Sequence, residues 1–214
     1  MTAIYSIRGT NGSGKSTLVR AFVPTLTGDH RGGPVDLNPY PSPTKKEPDR
    51  QKRAEGYGFD TPDLGRIGII GSYRTACGGL DSMNSFGVQQ DAIMWMINKL
   101  APRHILAEGI LASTVYGSWG VFAAGLADLG HQYIWCYLNT PLDICLDRIR
   151  GRQETSGRGV REIKTDLVAD KIKAIASTRE RALKEGNIVY DLPYQIAEQA
   201  MRVIMLGEGD LYRA

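Results

Sequence analysis

The octapeptide Gly9-Thr10-Asn11-Gly12-Ser13-Gly14-Lys15-Ser16 constrains this chain more than any other feature. Its spacing is G-x-x-x-x-G-K-[S/T], the pattern of a loop that wraps a phosphate chain. The flanks suit that geometry. Ala3-Ile4-Tyr5-Ser6-Ile7 ahead of it is rich in strand formers, and residues 16–22 after it have helical spacing. A glycine-rich turn between strand and helix presents backbone N–H groups and the positive helix end to an anion. Gly9, Gly12 and Gly14 let the backbone approach closely. Asn11, Ser13 and Thr17 complete the nucleotide-binding positions. Lys15 is placed to reach the β- and γ-phosphates and Ser16 to ligate Mg²⁺, so ATP and Mg²⁺ are the expected cofactors.

The rest of the chain reads as alternating strands and helices. Ile67-Gly68-Ile69-Ile70, Ile105-Leu106-Ala107-Glu108, Tyr133-Ile134-Trp135-Cys136-Tyr137-Leu138 and Ile188-Val189-Tyr190-Asp191 are buried-type strands. Helices are predicted over about 82–100, 121–129, from Pro141 onward, 162–185 and 193–206. The fold class is α/β: one domain over 1–214 with a mostly parallel five-stranded sheet and helices on both faces. Two segments depart from the pattern. Residues 28–64 are rich in Pro, Gly and charge and read as an irregular basic surface insertion after the first helix, with a small hairpin through Gly56-Tyr57-Gly58-Phe59. Residues 151–161 form a polar Gly/Arg segment, the expected lid. At 42% hydrophobic residues the 214-residue chain can bury a real core. The net charge of +3 permits a nucleic-acid partner without demanding one. The three cysteines, with no metal-ligand spacing, favour a reducing compartment. With no charged-then-apolar leader and no bilayer-length apolar run, the expectation is a soluble cytoplasmic protein with no membrane partner.

Several side chains outside the loop carry chemistry. Glu108 ends a core strand, where ligands of open α/β sheets gather, and can support Mg²⁺ or move a proton. Asp81 follows the second core strand within Tyr73-Arg74-Thr75-Ala76-Cys77-Gly78-Gly79-Leu80-Asp81-Ser82. It reads first as a general base for an acceptor hydroxyl and, without conflict, as the N-cap of the next helix. Tyr73, Arg74, Gly78, Gly79 and Asp81 form the expected acceptor-binding block. Arg148, Arg152 and Arg158 are candidates to offset charge developing on the transferred phosphoryl group. Lys45, Lys46, Arg50, Lys52 and Arg53, with Tyr40, Tyr57 and Phe59, could follow a nucleic-acid backbone, or be a solvated loop. The Glu108 strand lacks the tandem acids of motor ATPases. Asn98-Lys99-Leu100-Ala101 lacks the aspartate of a guanine-reading motif.

Together these residues resemble P-loop kinases of the nucleotide and polynucleotide kinase type, over most of the chain. Leu138-Asn139-Thr140-Pro141-Leu142 through Arg152 is similar to the strand, helix and arginine lid of thymidylate-kinase-like enzymes. Those enzymes carry Asp-Arg-aromatic after the third strand, where this chain has Glu108-Gly109-Ile110. The block from Gly71 to Ser82 resembles a G-x-Y-x-x-x-C-G-G-x-D-[S/T] signature of phage 5-hydroxymethyluracil DNA kinases. The resemblance implies γ-phosphate transfer from ATP to the hydroxymethyl group of that base in DNA. A kinase for a free nucleoside or nucleotide, and a non-catalytic nucleotide-binding module, remain the alternatives.

Overall fold

The computed structural model describes residues 1–23, 32–36, 55–73, 78–83, 85–156 and 161–214, with 32–36 and 55 described by backbone alone. Among the described residues seven strands form one sheet: β1 (Ala3–Arg8), β2 (Gly32–Asp36), β3 (Glu55–Thr61), β4 (Gly65–Ile70), β5 (His104–Glu108), β6 (Gln132–Asn139) and β7 (Ile188–Pro193). Their order is β2-β3-β4-β5-β1-β6-β7. The five strands from β4 to β7 in that order are parallel, as the buried runs predict.

Helices cover both faces, because successive strand residues point opposite ways. Tyr5 and Ile7 of β1, Leu106 of β5 and Cys136 of β6 pack against α1 (Lys15–Ala21) and α7 (Ala197–Leu206). Their sequence neighbours Ile4, Ile105 and Trp135 pack on the other face. There they meet α2 (Phe86–Leu100), α3 (Ile110–Thr114), α4 (Gly117–Asp128) and α6 (Thr165–Lys184). This second core is aromatic: the Trp135 ring stacks on Tyr116 at 5.0 Å and Trp119 on Tyr133 at 5.9 Å. Truncating a fully buried tryptophan such as Trp135 costs about 3–5 kcal/mol.

The insertion is where the architecture is richer than the sequence suggests. Its described residues are not irregular. β2 pairs antiparallel with β3, and β3 with β4, widening the sheet from five strands to seven. Gly56 and Phe59 lie within β3, so the hairpin turn falls after Thr61, not among them. The glycine-spaced sequence conceals a strand whose residues alternate only weakly in polarity. Helix starts also move. α2 begins at Phe86, and the Ser85 hydroxyl caps it by accepting from the Val88 N–H at 3.3 Å. The last helix begins at Ala197, because β7 runs through Pro193. α5 (Leu142–Thr155) continues through Gly151, so the expected lid opens as helix.

Candidate active site

β1 lies between β5 and β6, and the phosphate-loop sequence leaves its carboxyl end. Gly12 and Gly14 have φ of 81° and 102°, which glycine alone adopts freely. Gly12 also meets α5 closely: a Cβ there would stand 2.3 Å from the Cys145 carbonyl oxygen. The loop's carbonyl oxygens face donors. Lys15, 7% exposed, donates to those of Gly9 (2.9 Å) and Thr10 (3.0 Å). Arg148 donates to those of Gly12 (3.3 Å) and Ser13 (3.1 Å), and Thr140 to that of Ser13 (2.9 Å). With its carbonyls held this way, the loop presents N–H groups and cations to an anion. Immediately before the loop, Arg8 is fully buried. Its guanidinium donates to Ser6 Oγ and the Ala112 carbonyl and lies 3.8 Å from the Trp135 ring centroid.

The register that pairs Ile7 with Glu108 brings the carboxylate at the end of β5 beside the loop. Glu108 is 4% exposed and accepts from Ser16 Oγ at 2.8 Å. Burial pushes its pKa up; Lys15 and the Ser16 and Gly79 hydrogen bonds pull it down, while Asp81 pushes it up. Gly79 leaves room for this carboxylate: a Cβ would lie 2.3 Å from the Glu108 carbonyl oxygen and 2.7 Å from Oε1. Two hard oxygen donors 2.8 Å apart beside this glycine-rich loop fit Mg²⁺, which takes one or two protein oxygens and keeps several waters.

Asp81 lies in a 3-10 turn, Leu80–Ser82. It caps a helix, but not the one that follows it in sequence. Oδ2 accepts from the Ile110 N–H (2.7 Å) and Oδ1 from the Leu111 N–H (3.2 Å), so Asp81 ties down the start of α3. Its side chain is exposed and lines the cleft beside Gly78 and Gly79.

A cleft of about 790 Å³ joins these parts. Residues 10–17, Gly78, Gly79, Asp81, Glu108, Arg148 and Arg152 all line it. Arg148 projects from α5 with its guanidinium 5.4 Å from the Tyr194 ring centroid. Tyr73 is elsewhere. It is buried at 1% exposure and is not part of the cleft wall. Arg74, Cys77, Arg158, Tyr40 and the basic residues Lys45, Lys46, Arg50, Lys52 and Arg53 lie outside the described residues. The sequence reading missed Arg20, which lines the cleft and donates to the Tyr73 carbonyl at 2.9 Å, and the Tyr194–Gln195 wall after β7. The rule that ligands gather at strand carboxyl ends could have found the latter. Among the described residues, no cluster of three His, Cys, Asp or Glu side chains could hold a metal, and no helix is long and apolar enough to cross a membrane.

No family model matches the chain. It is similar to proteins named 5-hmdU DNA kinase from phages. The one from Pseudomonas phage M6 is 29% identical over 217 residues, covering 95% of this chain and 98% of that protein. The one from Delftia phage PhiW-14 is 28% identical, covering 86% and 65%. The one from Pseudomonas phage PaMx11 is 32% identical over 152 residues, covering 70% and 69%.

Proposed function

The chain belongs to the family of phage 5-hmdU DNA kinases, and on that premise we propose that it transfers the γ-phosphate of ATP to the hydroxymethyl oxygen of 5-hydroxymethyluracil in DNA. The observation that carries this reading is the convergence of Lys15, Ser16, Glu108, Asp81 and Arg148 on one cleft.

Each residue has a part that its position supports. Lys15 exchanges its two carbonyl partners for phosphate oxygens. Ser16 and Glu108 hold Mg²⁺, which when bound neutralises charge on the β- and γ-phosphates. Arg148 and Arg152 face the same phosphates from α5. Leu138, Ile149, Ala197 and Tyr194 give the adenosine an apolar surface. Asp81 takes the proton of the acceptor hydroxyl as its oxygen bonds to the γ-phosphorus and the bond to the β–γ bridging oxygen breaks. Each Asp81 oxygen accepts one N–H and keeps a lone pair for that proton. A base inside a duplex is out of reach, so the acceptor is flipped out or single-stranded.

The test follows γ-labelled phosphate in the presence of modified single- and double-stranded DNA, unmodified DNA and the free nucleoside. Label on the modified polymer is the expected result. Equal efficiency on the free nucleoside would replace this reading with a small-molecule kinase. No label on any acceptor would leave a nucleotide-binding module.

A further inference from the structure

The turn that carries Asp81 is held from several sides. Ser82 closes it on itself: its N–H and its hydroxyl both donate to the Gly79 carbonyl, at 3.1 and 2.8 Å. The backbone leading from β5 into α3 passes directly beneath. A Cβ on Gly109 would lie 3.1 Å from both Leu80 Cβ and Asp81 Oδ1. The Ile110 and Leu111 N–H groups then fix the two carboxylate oxygens.

The main chain behind that carboxylate is held from α2. Gln89, in the first turn of α2, is fully buried, and its Nε2 donates to the Leu80 carbonyl at 3.0 Å. That carbonyl belongs to the planar peptide unit whose nitrogen is Asp81's own, so the amide fixes the plane from which the Asp81 side chain departs. The carbonyl does not need this donor, because it also accepts the Met83 N–H at 2.9 Å. The amide also carries a burden: among the described residues, its buried Oε1 accepts no hydrogen bond. An unpaired acceptor in the interior is destabilising, and methionine would fill nearly the same space without it. Stability alone gives little reason for glutamine at this position. What the amide adds is a fixed place for the Leu80–Asp81 peptide.

We infer that Gln89 is a positioning residue for Asp81: its buried amide, through the Leu80 carbonyl, sets the angle at which the carboxylate meets the acceptor hydroxyl. Gln89 does not line the cleft and acts only through the turn. The inference rests on the kinase reading above, in which Asp81 takes the acceptor proton. A reacting group displaced by about 1 Å loses up to roughly 100-fold in rate.

Gln89→Met removes the amide and keeps the length of the side chain. A double-mutant cycle with Asp81→Asn tests the route as well as the effect. Single-turnover transfer to 5-hydroxymethyluracil DNA is measured for the parent, each single variant and the pair, with ATP affinity and ligand-free melting in parallel. Gln89→Met is expected to melt at or above the parent temperature, to bind ATP as the parent does, and to transfer phosphate about 10- to 100-fold more slowly. Added to Asp81→Asn it lowers the rate by no more than about twofold, because the base it positions is already gone. Losses that multiply in the pair overturn the inference, since the amide would then act on something other than Asp81. So does a parent-like rate in Gln89→Met, or a clearly lower melting temperature, which would make the amide a support of the fold. The kinase reading fails by different results: a parent that transfers no phosphate, or an Asp81→Asn variant within a few-fold of the parent, removes the base and this inference with it.

Discussion

Asp81→Asn separates the two roles that Asp81 combines. The carboxylate accepts the Ile110 N–H at 2.7 Å and the Leu111 N–H at 3.2 Å. Asparagine has one acceptor oxygen. It keeps the shorter bond and turns an NH₂ group toward the other N–H. Leu111 is 51% exposed, so water reaches the abandoned donor and the loss sits at the low end for a charged hydrogen bond, about 1 kcal/mol. Removing the negative charge from the start of a helix adds about 0.3–1 kcal/mol. A total of about 1–2 kcal/mol corresponds to roughly 2–8 °C of melting temperature for a chain this size. General-base loss acts on another scale, 10²- to 10⁴-fold in rate, or about 3–5 kcal/mol of barrier. The assay is single-turnover transfer of labelled phosphate to modified DNA well below the variant's melting temperature, with ATP affinity measured in parallel. The expected result is a folded protein with near-parent ATP affinity and at least about a 100-fold slower transfer. A rate within a few-fold of the parent would refute the base assignment, leave Asp81 as a cap for α3, and make Glu108 the candidate base.

Two further outcomes follow from packing and burial. Gly79→Ala drives a methyl against the Glu108 carbonyl and carboxylate, so it should cost about 1–3 kcal/mol and lower transfer together with stability. Melting within a degree of the parent would mean the close approach is not real. His104 is buried against the Tyr5 hydroxyl, and burial followed by the Arg103 charge lowers its pKa to about 4. Its folded pKa lies below the unfolded value, so the neutral form favours the fold. The contribution is complete above about pH 6.5 and is lost as pH falls toward 4, by up to about 3 kcal/mol. His104→Asn should therefore show a flatter decline in urea stability between pH 6.5 and 4, and parallel curves would refute the assignment.

The parallel core was legible because each of its strands is a largely apolar run, a pattern that survives without tertiary information. The glycine-rich turn between β1 and α1 was legible for a similar reason: its geometry is local, and eight residues specify it. Asp81 shows the limit. That it caps a helix was readable from its type. That the helix begins 29 residues later depends on β5 bringing Ile110 beside the 3-10 turn, which no local pattern records. Arg20 was invisible for the same reason, since the topology alone brings that face of α1 to the cleft, whereas Tyr194 follows a strand carboxyl end and was within reach of the sequence. β2 was missed and β3 was read as a hairpin turn because Gly32-Gly33-Pro34 and Gly56-Tyr57-Gly58 carry the composition of loops, which the pairing of β2 with β3 and of β3 with β4 outweighs.

Arg8 gives the site an electrostatic property that its exposed arginines lack. Its partners, a hydroxyl, a carbonyl and an indole ring, are all neutral, so they spread its charge without cancelling it. Counterions cannot collect around a guanidinium with no exposed surface. Arg148 stands in solvent, where dissolved ions attenuate a charge over about 8 Å at physiological ionic strength. Arg8, fixed beneath the loop when the chain folds, would act on an anion seated in that loop with less screening by salt than Arg148 does.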